Sequence, residues 1–394
     1  MKEGVVIAGM ARTPMGGMQG CLSDVAAPNL GADSIKASLA RSGATPDRVD
    51  ETIMGCVLPA GLGQAPARQA SLNAGIPDTT GCVTINKMCG SGMKAVMMGH
   101  DAIAAGSADM IVAGGMESMT NAPYILPKLR GGQRLGHGEV LDHMFIDGLE
   151  DAYEKGRLMG SYAEATSKHY GFTREQQDEF AIESLKRAQR AIDKGEFKRE
   201  ITPVTVKTRK GDTEVDTDEQ PGNAKLDKIP QLKPAFAKDG TVTAANSSSI
   251  SDGAAAMILA SADYAKENQL SINARILGHA THAHEPAWFT TAPVSATKKL
   301  LEKLNWSVSD VDLFEVNEAF ACVAMAAMRD LEIPHEKLNI RGGACALGHP
   351  VGASGARIIV TLIHALQDHG LKRGVASLCI GGGEATAIGI ELAS

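Results

Sequence analysis

The sequence predicts an α/β protein built from two related halves, each with its own mixed sheet. Short strands of β-branched or small residues alternate with stretches of helical apolar spacing at both ends of the chain. Elements of the first third also recur, in order, in the last third. Ala274-Arg275-Ile276-Leu277-Gly278 answers Val5-Val6-Ile7-Ala8-Gly9, and residues 311–316 answer 51–56. Ser354-Gly355-Ala356-Arg357 answers Ser91-Gly92-Met93-Lys94, and Ile380-Gly381-Gly382-Gly383-Glu384 answers Ala113-Gly114-Gly115-Met116-Glu117. The last two offsets are 263 and 267 residues, the near-constant spacing that a duplication leaves.

Taken in order, residues 5–8 read as a buried strand, Arg12-Thr13-Pro14 as a turn, 32–42 as a helix and 52–57 as a second strand. Gly61-Leu62-Gly63-Gln64-Ala65-Pro66 has two glycines of a dinucleotide-binding turn but Pro where the third belongs, so it reads as a loop before a helix over 67–74. Residues 82–85 form a strand. Met93, Val96, Met97, Ile103 and Ala104 then fall at helical spacing. A strand over 110–113 is closed by Gly114-Gly115. From about Asn121 prolines and glycines crowd together, followed by a charged helix over 174–194 with Phe180, Leu185, Ala188 and Ile192 on one face. The polar stretch 207–228 reads as a solvated face. The domain division is therefore residues 1–121 with 249–270 as the N-terminal half, 122–248 as an inserted, loop-rich unit able to cover a site, and 271–394 as the C-terminal half.

Composition narrows the function classes. At 44% hydrophobic and 22% charged residues the chain is of globular type, and its 394 residues suffice for two or three sizeable cores. A net charge of −7 gives no electrostatic case for nucleic acid. There is no apolar run of about 18 residues to suggest a membrane partner, and the apolar start is too short for a signal peptide. Seven scattered cysteines without a C-x-x-C pair point to free thiols in a reducing cytoplasm.

The chemistry concentrates at Asn86-Lys87-Met88-Cys89-Gly90-Ser91-Gly92. Cys89 falls where a strand turns into a helix. Unpaired amides and the helix dipole there favour a thiolate, the nucleophilic form. Gly90 and Gly92 would let a substrate approach the backbone. The counterpart turn in the second copy, Gly342-Gly343-Ala344-Cys345-Ala346-Leu347-Gly348-His349-Pro350-Val351-Gly352, brings His349 opposite Cys89 as its base if the halves pack as pseudo-twofold mates. Asn317-Glu318-Ala319-Phe320 and Cys379-Ile380-Gly381-Gly382-Gly383 each follow a strand, where open α/β sheets bind ligands.

Together these four blocks resemble the thiolase family over essentially the whole chain, most closely its biosynthetic-type acetyl-CoA C-acetyltransferases. The resemblance implies a five-layered αβαβα fold in which 122–248 is the loop domain that holds coenzyme A. It implies that Cys89 takes an acetyl group as a thioester after activation by His349. Cys379 would abstract a methyl proton from a second acetyl-CoA. Asn317, through a water, and His349 would hold one thioester oxygen, and the backbone amides of Cys89 and Gly381 the other. Ser248, Phe236, Leu149, Met159 and Ala319 match positions that contact substrate. Acetyl-CoA, acetoacetyl-CoA and coenzyme A are the implied partners, with no cofactor and no required metal. A homodimer or homotetramer is implied as well, with Leu126-Pro127-Lys128-Leu129-Arg130 resembling the segment that pairs dimers.

The alternatives are a longer-chain 3-ketoacyl-CoA thiolase and a non-catalytic acyl-CoA-binding scaffold on the same fold; the presence of Cys89, Asn317, His349 and Cys379 speaks against the second. β-Ketoacyl and hydroxymethylglutaryl-CoA synthases lack the second cysteine in this glycine-rich setting. His279, His282 and His284 read as polar surface histidines rather than metal ligands. Cys21, Cys56, Cys82, Cys322 and Cys345, without charged neighbours, read as inert packing residues. Glu384 reads as a structural hydrogen-bond partner rather than an extra acid.

Overall fold

The computed structural model describes residues 4–209 and 211–393. The first copy contributes strand β1 (Val5–Arg12), helix α1 (Ala27–Ser42), β2 (Glu51–Gly55), α2 (Pro66–Asn73), β3 (Gly81–Ile85), α3 (Ser91–Ala104) and β4 (Met110–Ser118). The inserted segment carries α4 (Met159–Tyr170) and α5 (Arg174–Asp193). The chain re-enters the sheet as β5 (Ser251–Ser261). The second copy follows with β6 (Ala274–Ala283), α6 (Ala292–Leu304), β7 (Leu313–Val316), α7 (Ala321–Leu331), α8 (Ser354–His369), β8 (Arg373–Ile380) and β9 (Glu384–Leu392).

The principal strands are hydrogen-bonded in the order β7-β8-β9-β6-β1-β5-β4-β2-β3. The N-terminal run β1-β5-β4-β2 matches the C-terminal run β6-β9-β8-β7, which is the duplication seen in space. The second copy's counterpart of β3 shrinks to a single parallel bridge between Phe314 and Leu338. One mixed sheet per half was expected. Instead the hydrogen bonding continues between the halves, because β1 and β6 pair antiparallel through Val5–Ile276, Val6–Arg275 and Ile7–Ala274. Both copies break register at the matched glycines, at Gly9 and at Gly278.

Alternation of side chains along the strands sorts the layers. On β5, Ala255, Met257 and Leu259 face a central core while Ala254, Ala256, Ile258 and Ala260 face α1 and α2. On β8, Ala376 and Leu378 join the central core, whereas Val375 and Cys379 face the core of α6 and α7. The central core holds α3 and α8 side by side between the two half-sheets, which gives the five-layered αβαβα arrangement. Their starts are in contact at matched glycines. A Cβ on Gly92 would lie 2.8 Å from the Ala356 nitrogen, and one on Gly355 would lie 2.5 Å from the Met93 nitrogen.

Several expectations need correction. The glycines at 114–115 do not close a strand, because β4 runs through them to Ser118. A Cβ at Gly114 would strike the Ala255 carbonyl at 2.2 Å and one at Gly115 the Gly352 carbonyl at 2.1 Å, so these glycines permit close packing rather than a turn. The 207–228 stretch is only partly a solvated face. Its hairpin is exposed, but Asp218 is buried in an ion pair with Arg12, 2.6 Å away, and Arg12 also pairs with Glu200 at 2.5 Å. Among the described residues no helix is long and apolar enough to cross a membrane.

Candidate active site

Between β3 and α3 the chain makes a sharp elbow. Met88 has φ +46°, a left-handed conformation rare for a side-chain-bearing residue and found where function demands it. Local hydrogen bonds hold the elbow. Asn86 Oδ1 accepts from Met88 N at 2.9 Å, Ser91 Oγ accepts from Lys87 N at 2.8 Å, and the same hydroxyl donates to the Met88 carbonyl at 2.6 Å. Lys87 forms an ion pair with Glu384 at the start of β9, so Glu384 is a structural partner that ties the elbow to the second copy. Gly90 and Gly92 do not clear a path for substrate. A Cβ on Gly90 would lie 2.3 Å from Ile380 Cδ1, and Gly92 abuts α8, so both make room for the other half of the molecule.

Cys89 is held at the elbow just before α3. Its thiol is pushed up to about 11 by burial, against the opposing pull of the backbone N–H groups of Gly381 and of Cys89 itself. The helix-start position was expected to favour the thiolate. Burial outweighs it, and the resting group is a thiol. Those two amides are the ones the family resemblance implies for the oxyanion.

His349 is buried, and burial first and the Arg357 guanidinium second lower its pKa to about 3, so the resting imidazole is neutral. Its Nδ1 lies 2.6 Å from Ser354 Oγ and 3.5 Å from Asn317 Nδ2. Its Nε2 has no hydrogen-bond partner. Asn317, at the end of β7, is anchored by its N–H donating to the Ser377 carbonyl at 3.0 Å, and its Oδ1 is likewise unpartnered. Cys379 is fully buried, and burial and then the neighbouring Cys89 raise its pKa well above the usual thiol range.

Cys89, His349 and Gly381 line one mostly apolar cavity of about 390 Å³. Leu149, Met159, Phe236, Ser248 and Ala319 line it too, contributed by the inserted segment and by the loop after β7. Ser248 N donates to the Ala319 carbonyl at 2.9 Å, which holds the two loops together. Asn317 and Cys379 are buried beside this wall, Asn317 against His349 and Cys379 within electrostatic reach of Cys89.

Sequence reasoning missed the supports. Ser354 was noticed only as part of the repeat. Glu117, fully buried, accepts hydrogen bonds from Val57 N, Leu58 N and Gly352 N at 2.8, 3.1 and 2.9 Å, and so joins the two copies beneath the site. Glu318 accepts from Ser184 Oγ, Asn339 Nδ2 and Cys345 N at 2.7, 2.8 and 3.1 Å. Three of the cysteines read as lacking charged neighbours have them: Cys56 lies 3.6 Å from Glu117, Cys345 bonds the Glu318 carbonyl and senses its carboxylate, and Cys21 sits beside Glu219. Burial, reinforced by those carboxylates, raises all three thiols, so they remain unreactive.

Comparison with known proteins agrees with this geometry. The family model described as "Thiolase, N-terminal domain" matches residues 5–263, and "Thiolase, C-terminal domain" matches 270–392. The chain is 49% identical to an acetyl-CoA acetyltransferase of Cupriavidus necator, covering 98% of this chain and 99% of the relative. It is 45% identical to one from Allochromatium vinosum, over 99% of this chain and all of the relative. A crystal structure of the acetyl-CoA acetyltransferase of Bacillus anthracis superposes with a TM-score of 0.97 at 41% identity, over 100% and 99% of the two chains.

Proposed function

Because the chain belongs to the thiolase family, we propose that it is an acetyl-CoA C-acetyltransferase. It joins two molecules of acetyl-CoA into acetoacetyl-CoA and free coenzyme A, and runs the thiolytic reverse. One observation carries this reading: a single cavity wall presents the Cys89 thiol, the unpartnered Nε2 of His349 and the Gly381 loop.

The chemistry follows from those groups. His349 Nε2 takes the Cys89 proton as the sulfur attacks the acetyl carbonyl carbon. The oxyanion that forms is stabilised by the amides of Cys89 and Gly381, donors already in position before charge develops. The bond from the acetyl carbon to the coenzyme sulfur breaks, and Cys379, a thiol at rest, gives its proton to that leaving sulfur. Acetyl-Cys89, an imidazolium and a Cys379 thiolate remain. A second acetyl-CoA then places its thioester oxygen against His349 and a water held by Asn317. Cys379 takes a methyl proton, the new carbanion attacks acetyl-Cys89, a carbon–carbon bond forms and the bond to Cys89 breaks. The imidazolium returns its proton to Cys89. Coenzyme A is a substrate, and no step calls for a cofactor.

The same reading makes the chain a homo-oligomer, dimer or tetramer, of the cytoplasm. Supporting this, Tyr124, Leu126, Leu129, Leu135 and Val140 expose apolar surface along one segment that includes 126–130, and β3 lies at the open end of the sheet. All seven cysteines are free thiols.

Intact-protein mass spectrometry after incubation with acetyl-CoA tests the proposal. One acetyl mass per chain should be gained with release of free coenzyme A, and the gain should vanish in Cys89→Ser. Acetylation that persists in Cys89→Ser, or no cleavage of acetoacetyl-CoA by coenzyme A in the wild type, would overturn it.

A further inference from the structure

Away from the cavity, two histidines converge on one carboxylate. His100 and Asp101 lie toward the C-terminal end of α3, and His279 lies in the middle of β6. His279 Nε2 is 2.8 Å and His100 Nδ1 3.1 Å from the same oxygen, Asp101 Oδ1. The imidazoles meet edge to face, with ring centres 5.1 Å apart. One ligand atom from each of the three residues falls within a span of 4.8 Å.

Zinc binds histidine nitrogen and carboxylate oxygen at about 2.0–2.2 Å in a tetrahedron, which sets neighbouring donor atoms roughly 3.3 Å apart. Both nitrogen-to-oxygen distances here fall within about half an ångström of that spacing, so an ion can replace the hydrogen-bonding protons with only small side-chain adjustments. The two imidazoles are largely buried and held in place, at 19% and 13% exposure for His100 and His279, while Asp101 is 57% exposed. The open carboxylate side leaves an entry path and a fourth position for water. The nearby Lys303 Nζ donates to the His279 carbonyl at 3.3 Å.

We infer that His100, Asp101 and His279 form a three-ligand site for a divalent transition-metal cation of the zinc type. Imidazole and carboxylate together suit zinc, cobalt and nickel rather than calcium or magnesium. The site is structural. Asp101 is ten residues beyond the start of α3, about 15 Å along the helix from the Cys89 elbow, so a metal there does not touch substrate. It clips the helix that follows the nucleophile to the first strand of the other half.

Cobalt(II) titration of the metal-free full chain, read by visible absorption, and thermal denaturation with and without zinc test the inference. Wild type should take up one cobalt ion per chain with a tetrahedral spectrum, and zinc at a hundredfold excess over its Kd should raise the melting temperature by a few degrees. His279→Ala and the isosteric Asp101→Asn should lose both effects while their metal-free turnover matches wild type, which also establishes that they fold. Cys89→Ser should bind cobalt as wild type does. Absence of cobalt uptake by wild type up to millimolar metal overturns the inference. So does uptake that survives both His279→Ala and Asp101→Asn, or uptake that is lost in Cys89→Ser and therefore belongs to the active-site thiols.

Discussion

Ser354 Oγ lies 2.6 Å from His349 Nδ1 and 3.0 Å from the carbonyl oxygen of Pro350. A hydroxyl has one proton to give. When it goes to the carbonyl, the oxygen accepts from Nδ1–H, and the free lone pair of the imidazole sits on Nε2, the nitrogen at the cavity. Ser354→Ala should therefore lower kcat about 10- to 100-fold, the loss of one hydrogen bond to a group that becomes charged, with KM nearly unchanged. Ser354→Thr should restore most of it. A rise in KM at constant kcat would instead make Ser354 a determinant of substrate binding.

The pH dependence of Cys89 follows from its burial. With the thiol at about 11 and the imidazole at about 3, the resting pair is thiol and neutral imidazole. The thiolate fraction of the substrate-free protein then rises about tenfold per pH unit through the whole neutral and mildly alkaline range. Alkylation of Cys89 by iodoacetamide, followed by mass spectrometry of the modified peptide, should rise from pH 6 to pH 10 without a plateau. A plateau near pH 7 would mean that an imidazolium holds the thiolate at rest.

Asn317→Ala removes the group proposed to place a water at a developing oxyanion. Such a donor contributes on the order of 3 kcal/mol to the transition state, roughly a hundredfold in rate. Steady-state thiolysis should show that loss in kcat, with the fold unchanged by circular dichroism.

Cys379→Ala separates the two half-reactions. The nucleophile, its base and both amides remain, and a coenzyme thiolate can leave without Cys379 to protonate it, so Cys89 should still become acetylated, only more slowly. Condensation and thiolysis should fall roughly 10²- to 10⁴-fold, as on losing a positioned acid–base group. Solvent deuterium should also cease to enter the methyl group of acetyl-CoA. Exchange at the wild-type rate would assign the proton transfer to another residue.

Glu117→Ala should be the most damaging to stability among these substitutions. It strands the buried N–H groups of Val57, Leu58 and Gly352, each at about 1–3 kcal/mol. The unfolding free energy from denaturant titration should drop by several kcal/mol, whereas Asn317→Ala should barely change it.

The duplication was legible because glycine-bearing turns keep their spacing when other residues drift: a Cβ at Gly92 or Gly355 has nowhere to go. Cys89, His349 and Gly381 were legible because each stands in such a turn. What could not be read is whatever depends on pairing between distant parts of the chain. Glu117 meets Gly352 over 235 residues, Glu318 meets Ser184 over 134, and Asp101 meets His279 over 178. No local periodicity marks such partners. The pKa of Cys89 was misjudged for a related reason. The helix start is visible in the chain, but the protein packed over the thiol is not.

The mutual contact of Gly92 and Gly355 has a consequence for the order of events at the ribosome. The end of α3 and the start of α8 are 250 residues apart, and at about 5–20 residues per second the second helix emerges roughly 12–50 seconds after the first. Through that interval α3 packs on β2 and β4, but its own face toward α8, and the part of the first half-sheet that α8 will cover, stay open. The nascent N-terminal half is thus a long-lived, sticky species. Chains stalled before residue 354 should be protease-sensitive and bound by general chaperones, while chains released at full length are not. Proteolysis of stalled nascent chains would show the switch as a sharp gain in resistance once α8 and the two strands after it have cleared the exit tunnel.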